Sequence, residues 1–318
     1  MIMKYMKYLP IIRTRPSIFV GIAYGLGFWT DRTAVHEAAC RGHVPELQRL
    51  IRSGASVNMV AVDSITPLHE ACIQGQAQCV RLLLDAGAQV DARNIDGSTP
   101  LCDACAAGSL ECVKLLLEHG ATINPPLFTF SPLHEACMGG NIDCVRLMIA
   151  GGARMEAHDC HFGTPLHVAC ARQRVDCAKC LLNAGKGVQH GAGVCQCLVD
   201  FGAAKTVPLP PQGANVNAAK LHETALHHAA KVRNVDLIEL LVEFGGNLYA
   251  RDNLGRKPIH YTRPGSPAAL CLEFYERTPL SLQQLSRVSI RMMLGPRALE
   301  VVSQLNLPNR IINYLSYE

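Results

Sequence analysis

Thr66-Pro67-Leu68-His69-Glu70-Ala71-Cys72 is the stretch on which the fold turns, because the chain repeats it. Echoes begin at Thr33 (TAVHEAA), Thr99 (TPLCDAC), Ser131 (SPLHEAC), Thr164 (TPLHVAC), Thr224 (TALHHAA) and Lys257 (KPIHYT). Successive starts lie 33, 33, 32, 33, 60 and 33 residues apart. Seven signatures at a nearly fixed period describe a stack of equivalent units, each contacting its neighbours, rather than a chain wrapped around one centre.

The physical chemistry of one unit is readable residue by residue. Thr66 caps a helix with its hydroxyl, and Pro67 at the first helical position gives up no needed donor. Leu68, Ala71 and Cys72 then share one face, and Gly75 breaks the helix. A second helix repeats the stripe with Val80, Leu83 and Leu84 and ends at Gly87. Asp91-Ala92-Arg93-Asn94-Ile95-Asp96-Gly97 follows, with Asp-Gly turn chemistry suited to a hairpin projecting between units. Neither helix buries its apolar face alone, so neighbouring units must stack.

The period and the T-P-L-H-x-A pattern resemble the ankyrin repeat over residues 28 to 264. Six units carry both helices, and the seventh is expected to stop soon after Tyr261, where Pro264, Gly265 and Pro267 intervene. The 60-residue interval from Thr164 to Thr224 exceeds a 32-residue unit by 28 residues. Removing Lys186 to Gly213 restores Gly185-Ala214-Asn215-Val216-Asn217, which matches Gly87-Ala88-Gln89-Val90-Asp91. The insertion at 186–213 therefore interrupts a unit after its second helix, and the flanking units are expected to stack while the insert stays exposed. Gly185-Lys186 is compatible with a splice-donor-like GTAAG, and Leu209-Pro210-Pro211-Gln212-Gly213 with a pyrimidine tract ending in CAG, as in a retained in-frame intron. A functional loop is the alternative, since Cys195 to Ala203 imitates the end of a second ankyrin helix.

Cys102-x-x-Cys105, Cys177-x-x-Cys180 and Cys195-x-Cys197, with His158 and His161 beside Cys160, invite a metal reading. Register opposes it. Cys72, Cys105, Cys137 and Cys170 all fall six residues after a signature start, and Cys79, Cys112, Cys144 and Cys177 all fall thirteen after it. Equivalent slots in stacked helices lie about 8 to 10 Å apart, whereas the ligands of one zinc sit within roughly 4 Å of each other. His36, His69, His134, His167, His227 and His260 share the slot three after the start, which Cys102 takes in the third unit. A recurring slot implies a recurring structural hydrogen bond. No phosphate-binding loop, nucleophile elbow or zinc-protease motif occurs, so we expect no catalysis, cofactor or metal.

Of 318 residues, 49% are hydrophobic and 18% charged, and the net charge of +4 is spread among acids, which implies no nucleic-acid partner. Fifteen scattered cysteines favour free thiols in a reducing cytoplasmic or nuclear compartment. The apolar run from Ser17 to Trp29 has 13 residues, fewer than the roughly 20 that a membrane span needs.

From Thr278 onward the punctuation indicates three short helices. Thr278-Pro279 is expected to start one, bearing Leu282, Leu285, Val288 and Ile290. Gly295-Pro296 separates a second, with Leu299, Val302 and Leu305. Pro308 opens a third, with Ile311, Ile312 and Leu315. About 40 residues bury little core, so such apolar stripes are suited to docking on a partner, or else to capping the last repeat.

This segment resembles a SOCS box. The family's elongin C motif, S/T/P-Leu-x-x-x-Cys-x-x-x-apolar, maps onto Ser281 to Ile290, with Leu282 and Ile290 matching and Ser286 in place of cysteine. Its cullin motif, Leu-Pro-apolar-Pro, maps onto Leu305-Asn306-Leu307-Pro308, with Asn306 where proline is frequent. The architecture so read is all-α: an ankyrin solenoid of six full repeats plus a truncated seventh (28–264, insertion 186–213), then a small three-helix SOCS box (270–318). Residues 1–27 stand apart as a non-family segment.

The combination is similar to the ankyrin repeat and SOCS box family, which implies a non-catalytic substrate receptor of a ubiquitin ligase. By that resemblance Leu282, Leu285, Ser286 and Ile290 face elongin C of the elongin B/C pair. Leu305, Leu307, Pro308, Ile311, Tyr314 and Leu315 face cullin-5, which carries a RING subunit. The protein substrate is expected on the concave face of hairpin tips and first helices. There Asn124-Pro125-Pro126-Leu127-Phe128-Thr129-Phe130 places Phe128 and Phe130 where other units have polar residues, beside His161 and Phe162 of the next hairpin. Phe130 packing locally under the next helix is the alternative. A scaffold that binds a partner without recruiting a ligase is the rival to the whole reading.

Overall fold

The computed structural model describes residues 32–126, 131–159, 163–184, 213–278, 281, 284–286, 288–290 and 309–316. Among these residues six helix pairs follow one another. They are α1 (Ala34–Arg41) with α2 (Val44–Arg52), α3 (Pro67–Ile73) with α4 (Ala77–Asp85), and α5 (Pro100–Ala107) with α6 (Leu110–Glu118). Next come α7 (Pro132–Gly139) with α8 (Ile142–Ala150), α9 (Pro165–Ala171) with α10 (Val175–Asn183), and α11 (Ala225–Val232) with α12 (Val235–Glu243). The first helices of successive pairs pack on one another in one row, and the second helices in another. Leu68, Leu83, Leu101, Leu116, Leu133, Met148, Leu166, Leu181, Leu226 and Leu237 are fully buried in one continuous core. Each such side chain contributes roughly 1.5–3 kcal/mol.

Each first helix starts as its signature dictates. Thr33, Thr66 and Ser131 stand in extended backbone, and their hydroxyls accept the amide of the histidine three residues on. Thr99 does the same for Cys102. Gly108 ends α5 in a left-handed conformation (φ 73°), and a side chain there would collide with Asn141, whose Nδ2 donates to the Cys105 carbonyl at 3.1 Å. The equivalent Gln173 and Arg233 adopt φ 59° and 58° without being glycine.

Two polar ladders join the units. In the first, the histidine ring spans one repeat boundary. The Nδ1 of His134 accepts the Ser131 amide at 3.3 Å, so its Nε2 carries the proton and donates to the Gly163 carbonyl at 2.9 Å. His36, His69, His167 and His227 make the same bridge to Ile65, Ser98, Glu223 and Arg256, each the residue just before the next signature. In the second, Asn58 donates to the Gly87 carbonyl at 3.0 Å and accepts from the Gln89 amide at 2.8 Å. Asn124 and Asn217 repeat that double bond, to Gly152 and Arg154 and to Gly245 and Asn247 respectively.

The stack continues across the insertion. The Ala214 amide donates to the Leu181 carbonyl at 3.1 Å, the bond that Ala153 makes to Met148 one period earlier. Glu156 accepts the Asn215 amide at 2.7 Å, and α9 packs on α11 as its predecessors do on their neighbours. Residues 185–212 lie outside the described set. Beyond the rejoining point, β1 (Ala219–Lys220) pairs antiparallel with β2 (Glu223–Thr224), and the intervening Leu221 and His222 both have positive φ, 50° and 67°.

Two boundaries differ from the sequence reading. The seventh unit does not end after Tyr261. Its first helix is reduced to a 3-10 turn, Pro258–Tyr261, and α13 (Pro267–Arg277) packs on α12 in the place of a second helix. Pro267 sits at the start of α13, where proline is favoured, and Ser266 caps it by accepting the Ala269 amide, so the proline read as a stop is a start. Likewise Thr278 closes α13 instead of opening the next helix. Ser281 takes that role: its hydroxyl accepts the Gln284 amide at 3.2 Å, and the Gln284 side chain accepts the Ser281 amide at 2.9 Å. Helical turns follow at 284–286 and 288–290, and α14 (Asn309–Ser316) comes last. Val288 lies against Gly245 at the end of the sixth pair, which joins the C-terminal segment to the stack.

Candidate functional site

One candidate surface is the row of hairpin tips. An Asx side chain holds two of these turns from inside. Asn94 Oδ1 accepts the Asp96 and Ser98 amides at 3.0 and 2.9 Å, and Asp252 Oδ1 accepts those of Leu254 and Arg256, both at 2.8 Å. The residue at the tip is thereby turned out. Ile95 is 71% exposed, Leu254 64% and Leu221 74%, and the first hairpin adds Met59, Val60 and Val62. An apolar residue at successive tips of a polar hairpin has no packing role and is available to a partner. Sequence reasoning missed these residues, although an Ile or Leu inside Asn-x-Asp-Gly or Asp-Asn-x-Gly was a visible signal. Phe128, Phe130, His161 and Phe162, the residues expected to hold the substrate, lie outside the described residues. Pro125, three residues before Phe128, is buried.

Acidic side chains recur four residues after the signature start, at Glu37, Glu70, Asp103 and Glu135, and Glu37 pairs with Arg41 on its own helix. Arg32 pairs with Glu70, and Ser98 donates to Asp103 at 3.1 Å. Towards the C-terminal end, Lys220 Nζ donates to the Asp159 carbonyl at 2.8 Å and Lys231 pairs with Glu223 at 2.5 Å.

The buried cysteines and the signature histidines that bridge the units are framework. Burial pushes the Cys72, Cys105 and Cys137 thiols well above their ordinary range, and those of Cys102 and Cys170 to about 12, so they stay protonated. Burial likewise lowers the affinity of His36, His134 and His227 for a proton and brings His167 to about 4. Neutral rings bonded at both nitrogens serve as braces. Among the described residues no group of three or more His, Cys, Asp or Glu is placed to hold a metal ion. Among them, too, no helix is long and apolar enough to cross a membrane.

The second candidate surface is the C-terminal segment. Leu285 is 46% exposed, Ser286 is exposed and Ile290 half-buried, while Leu282 lies outside the described residues. On α14, Ile311 is 44% exposed and Tyr314 half-buried, whereas Leu315 is only 6% exposed and is packed within the chain. Leu305, Leu307 and Pro308 lie outside the described residues.

With this geometry in hand, three comparisons agree. Residues 35–126 and 125–192 match the family described as ankyrin repeats (3 copies), residues 222–253 match the ankyrin repeat, and residues 278–316 match the SOCS box. The chain is 65% identical over 292 residues to ankyrin repeat and SOCS box protein 13 of Mus musculus, covering 92% of this chain and 95% of that protein. Its identity to the Homo sapiens protein of the same name is 64% over 305 residues, covering 96% and 99%. The crystal structure of the human ASB11 ankyrin repeat domain aligns with a TM-score of 0.65 at 34% identity, covering 78% of this chain and 100% of that one. Repeats, box and near-full-length relatives together establish that the chain belongs to the ankyrin repeat and SOCS box family.

Proposed function

We propose that this protein is the non-catalytic substrate receptor of a ubiquitin ligase, which holds a protein substrate on its repeats and recruits the ligase through its C-terminal box. The observation that carries this reading is the SOCS box at 278–316 following an ankyrin stack in one chain. Elongin C of the elongin B/C pair docks on the first helix of the box, around Leu282, Leu285, Ser286 and Ile290. Exposed Leu285 supports that role. Cullin-5 with its RING subunit docks around Leu305, Leu307, Pro308, Ile311 and Tyr314. Leu315, being buried, serves that surface by holding α14 in place. The substrate lies across the hairpin tips, where Phe128, Phe130, His161 and Phe162 join exposed Ile95, Leu221 and Leu254. The compartment that supplies these partners is cytoplasmic or nuclear, in keeping with free thiols.

Reconstitution tests the reading. The full chain mixed with elongin B/C and cullin-5–RING is expected to elute as one complex and, given a captured substrate, to direct ubiquitin onto it. A chain that captures substrate but elutes apart from elongin B/C is instead a scaffold, the second reading, which Ser286 in place of the family's cysteine favours. Phe128→Ala with Phe162→Ala is expected to reduce substrate capture while elongin binding persists. Unaltered capture removes that site.

A further inference from the structure

The chain uses its two basic side chains very unequally. It has 9 lysines and 21 arginines. Residues 32–113 contain six arginines and no lysine, and residues 258–318, including the whole box, again contain six arginines and no lysine. Arginine supplies the same positive charge and more hydrogen bonds, but its guanidinium is not an acceptor for ubiquitin, whereas the lysine amine is. In a ligase receptor that distinction matters, because every residue near the docking box is held at high effective concentration beside the ubiquitin donor.

Five lysines lie among the described residues, and three of them are engaged. Lys220 Nζ bonds the Asp159 carbonyl at 2.8 Å, Lys231 pairs with Glu223 at 2.5 Å, and Lys257 pairs with Glu276 at 3.3 Å and lies over the Tyr249 ring. Their side chains are 19%, 34% and 24% exposed. Lys114 and Lys179 have no such partner among the described residues. Both sit on second helices, α6 and α10, away from the hairpin tips that a substrate would cover, so occupancy of the tips does not shield them. Lys114 is half-buried and Lys179 is exposed.

We infer that the receptor limits its own ubiquitination by excluding lysine from the box and the N-terminal repeats, and that Lys179 is the acceptor amine of the described fold. This inference rests on the ligase-receptor reading above. The Lys179 amine attacks the thioester carbonyl that joins the ubiquitin C-terminus to the cysteine of a conjugating enzyme. The isopeptide C–N bond forms, the thioester C–S bond breaks, and the enzyme's thiol leaves with the proton lost by the amine. Among the described residues self-modification is thereby slow and confined to the back of the solenoid, leaving the substrate's lysines as the favoured acceptors.

The test uses the full chain with elongin B/C, cullin-5–RING, activating and conjugating enzymes, ubiquitin and ATP, without substrate. Co-elution of the assembly is checked first, and ubiquitin remnants are then mapped by mass spectrometry. Lys4, Lys7, Lys186 and Lys205 are changed to arginine in every sample, so that only the described amines compete. Remnants are expected on Lys179, with Lys114 slower. Lys179→Arg should lower the adducts several-fold, and Arg277→Lys, which puts an amine at the exposed end of α13, should raise them several-fold. Equal modification of Lys220, Lys231 or Lys257, or no rise with Arg277→Lys, in a chain that binds elongin C overturns the inference alone. Failure to bind elongin C overturns the receptor reading and this inference with it.

Discussion

Acidification should loosen the stack at a place the histidine ladder identifies. His167 spans the boundary that carries the insertion, with Nδ1 accepting the Thr164 amide at 3.3 Å and Nε2 donating to the Glu223 carbonyl at 3.2 Å. Burial brings it to about 4 in the folded protein, against 6.5 for the free side chain. The unfolded chain therefore binds the extra proton throughout that window. Stability is present in full above pH 6.5 and is lost as pH falls towards 4. A difference of 2.5 units corresponds to about 3 kcal/mol in total, of which about 2 kcal/mol is lost between pH 7 and pH 5. Burial also brings neighbouring His228 to about 3, which adds a loss of the same sign. Urea unfolding of the wild type and of His167→Gln at pH 7, 6 and 5 isolates the first contribution, because glutamine can keep the donor to Glu223 without titrating. The variant should shed about 2 kcal/mol of the pH dependence. An identical pH dependence in both proteins would refute the bracing role assigned to the neutral ring.

Four other outcomes follow from named contacts. Replacing Leu221-His222 with Asn-Gly, whose backbone accepts positive φ at both positions, should stabilise the protein by about 1–2 kcal/mol in thermal unfolding. Asn217→Ala removes the donor to Gly245 and the acceptor for Asn247 and should cost about 1–2 kcal/mol in the same measurement. Deleting residues 186–213 should leave hydrogen-exchange protection at Leu181, Leu182, Leu226 and Ala229 unchanged, since the 156–215 and 167–223 bonds already carry the stack past the insertion. Loss of protection there would make the insert an integral part. Ser286→Cys should tighten elongin C binding, because a thiol loses less than a hydroxyl does on leaving water, and weaker binding would show the motif to be out of register.

The repeats were legible because each signature residue has a local job. Thr66 caps, Pro67 starts, His69 bridges and Leu68 packs, and none of these depends on a distant part of the chain. The insertion was legible for the same reason, since Ala214 resumes the register that Gly185 leaves. Pro264-Gly265-Ser266-Pro267 was misread because a proline that ends one helix and a proline that begins another look alike in sequence. Only the packing of α13 on α12 separates the two. The Asn58, Asn124 and Asn217 ladder escaped notice because its partners are backbone groups about one unit away. At the box, the apolar spacing of Leu285 and Ile311 was visible, while the burial of Leu315 depends on how α14 sits in the folded chain.

Calorimetric titration of elongin B/C into the full chain tests whether the box recruits a ligase. A saturable complex with one elongin B/C per chain is expected. Leu282→Ala or Leu285→Ala should weaken it by about 2 kcal/mol or more, as loss of a buried anchor does, with the ankyrin stack still folded. No heat of binding from a folded wild-type chain, or equal affinity in the wild type and both variants, would contradict that recruitment.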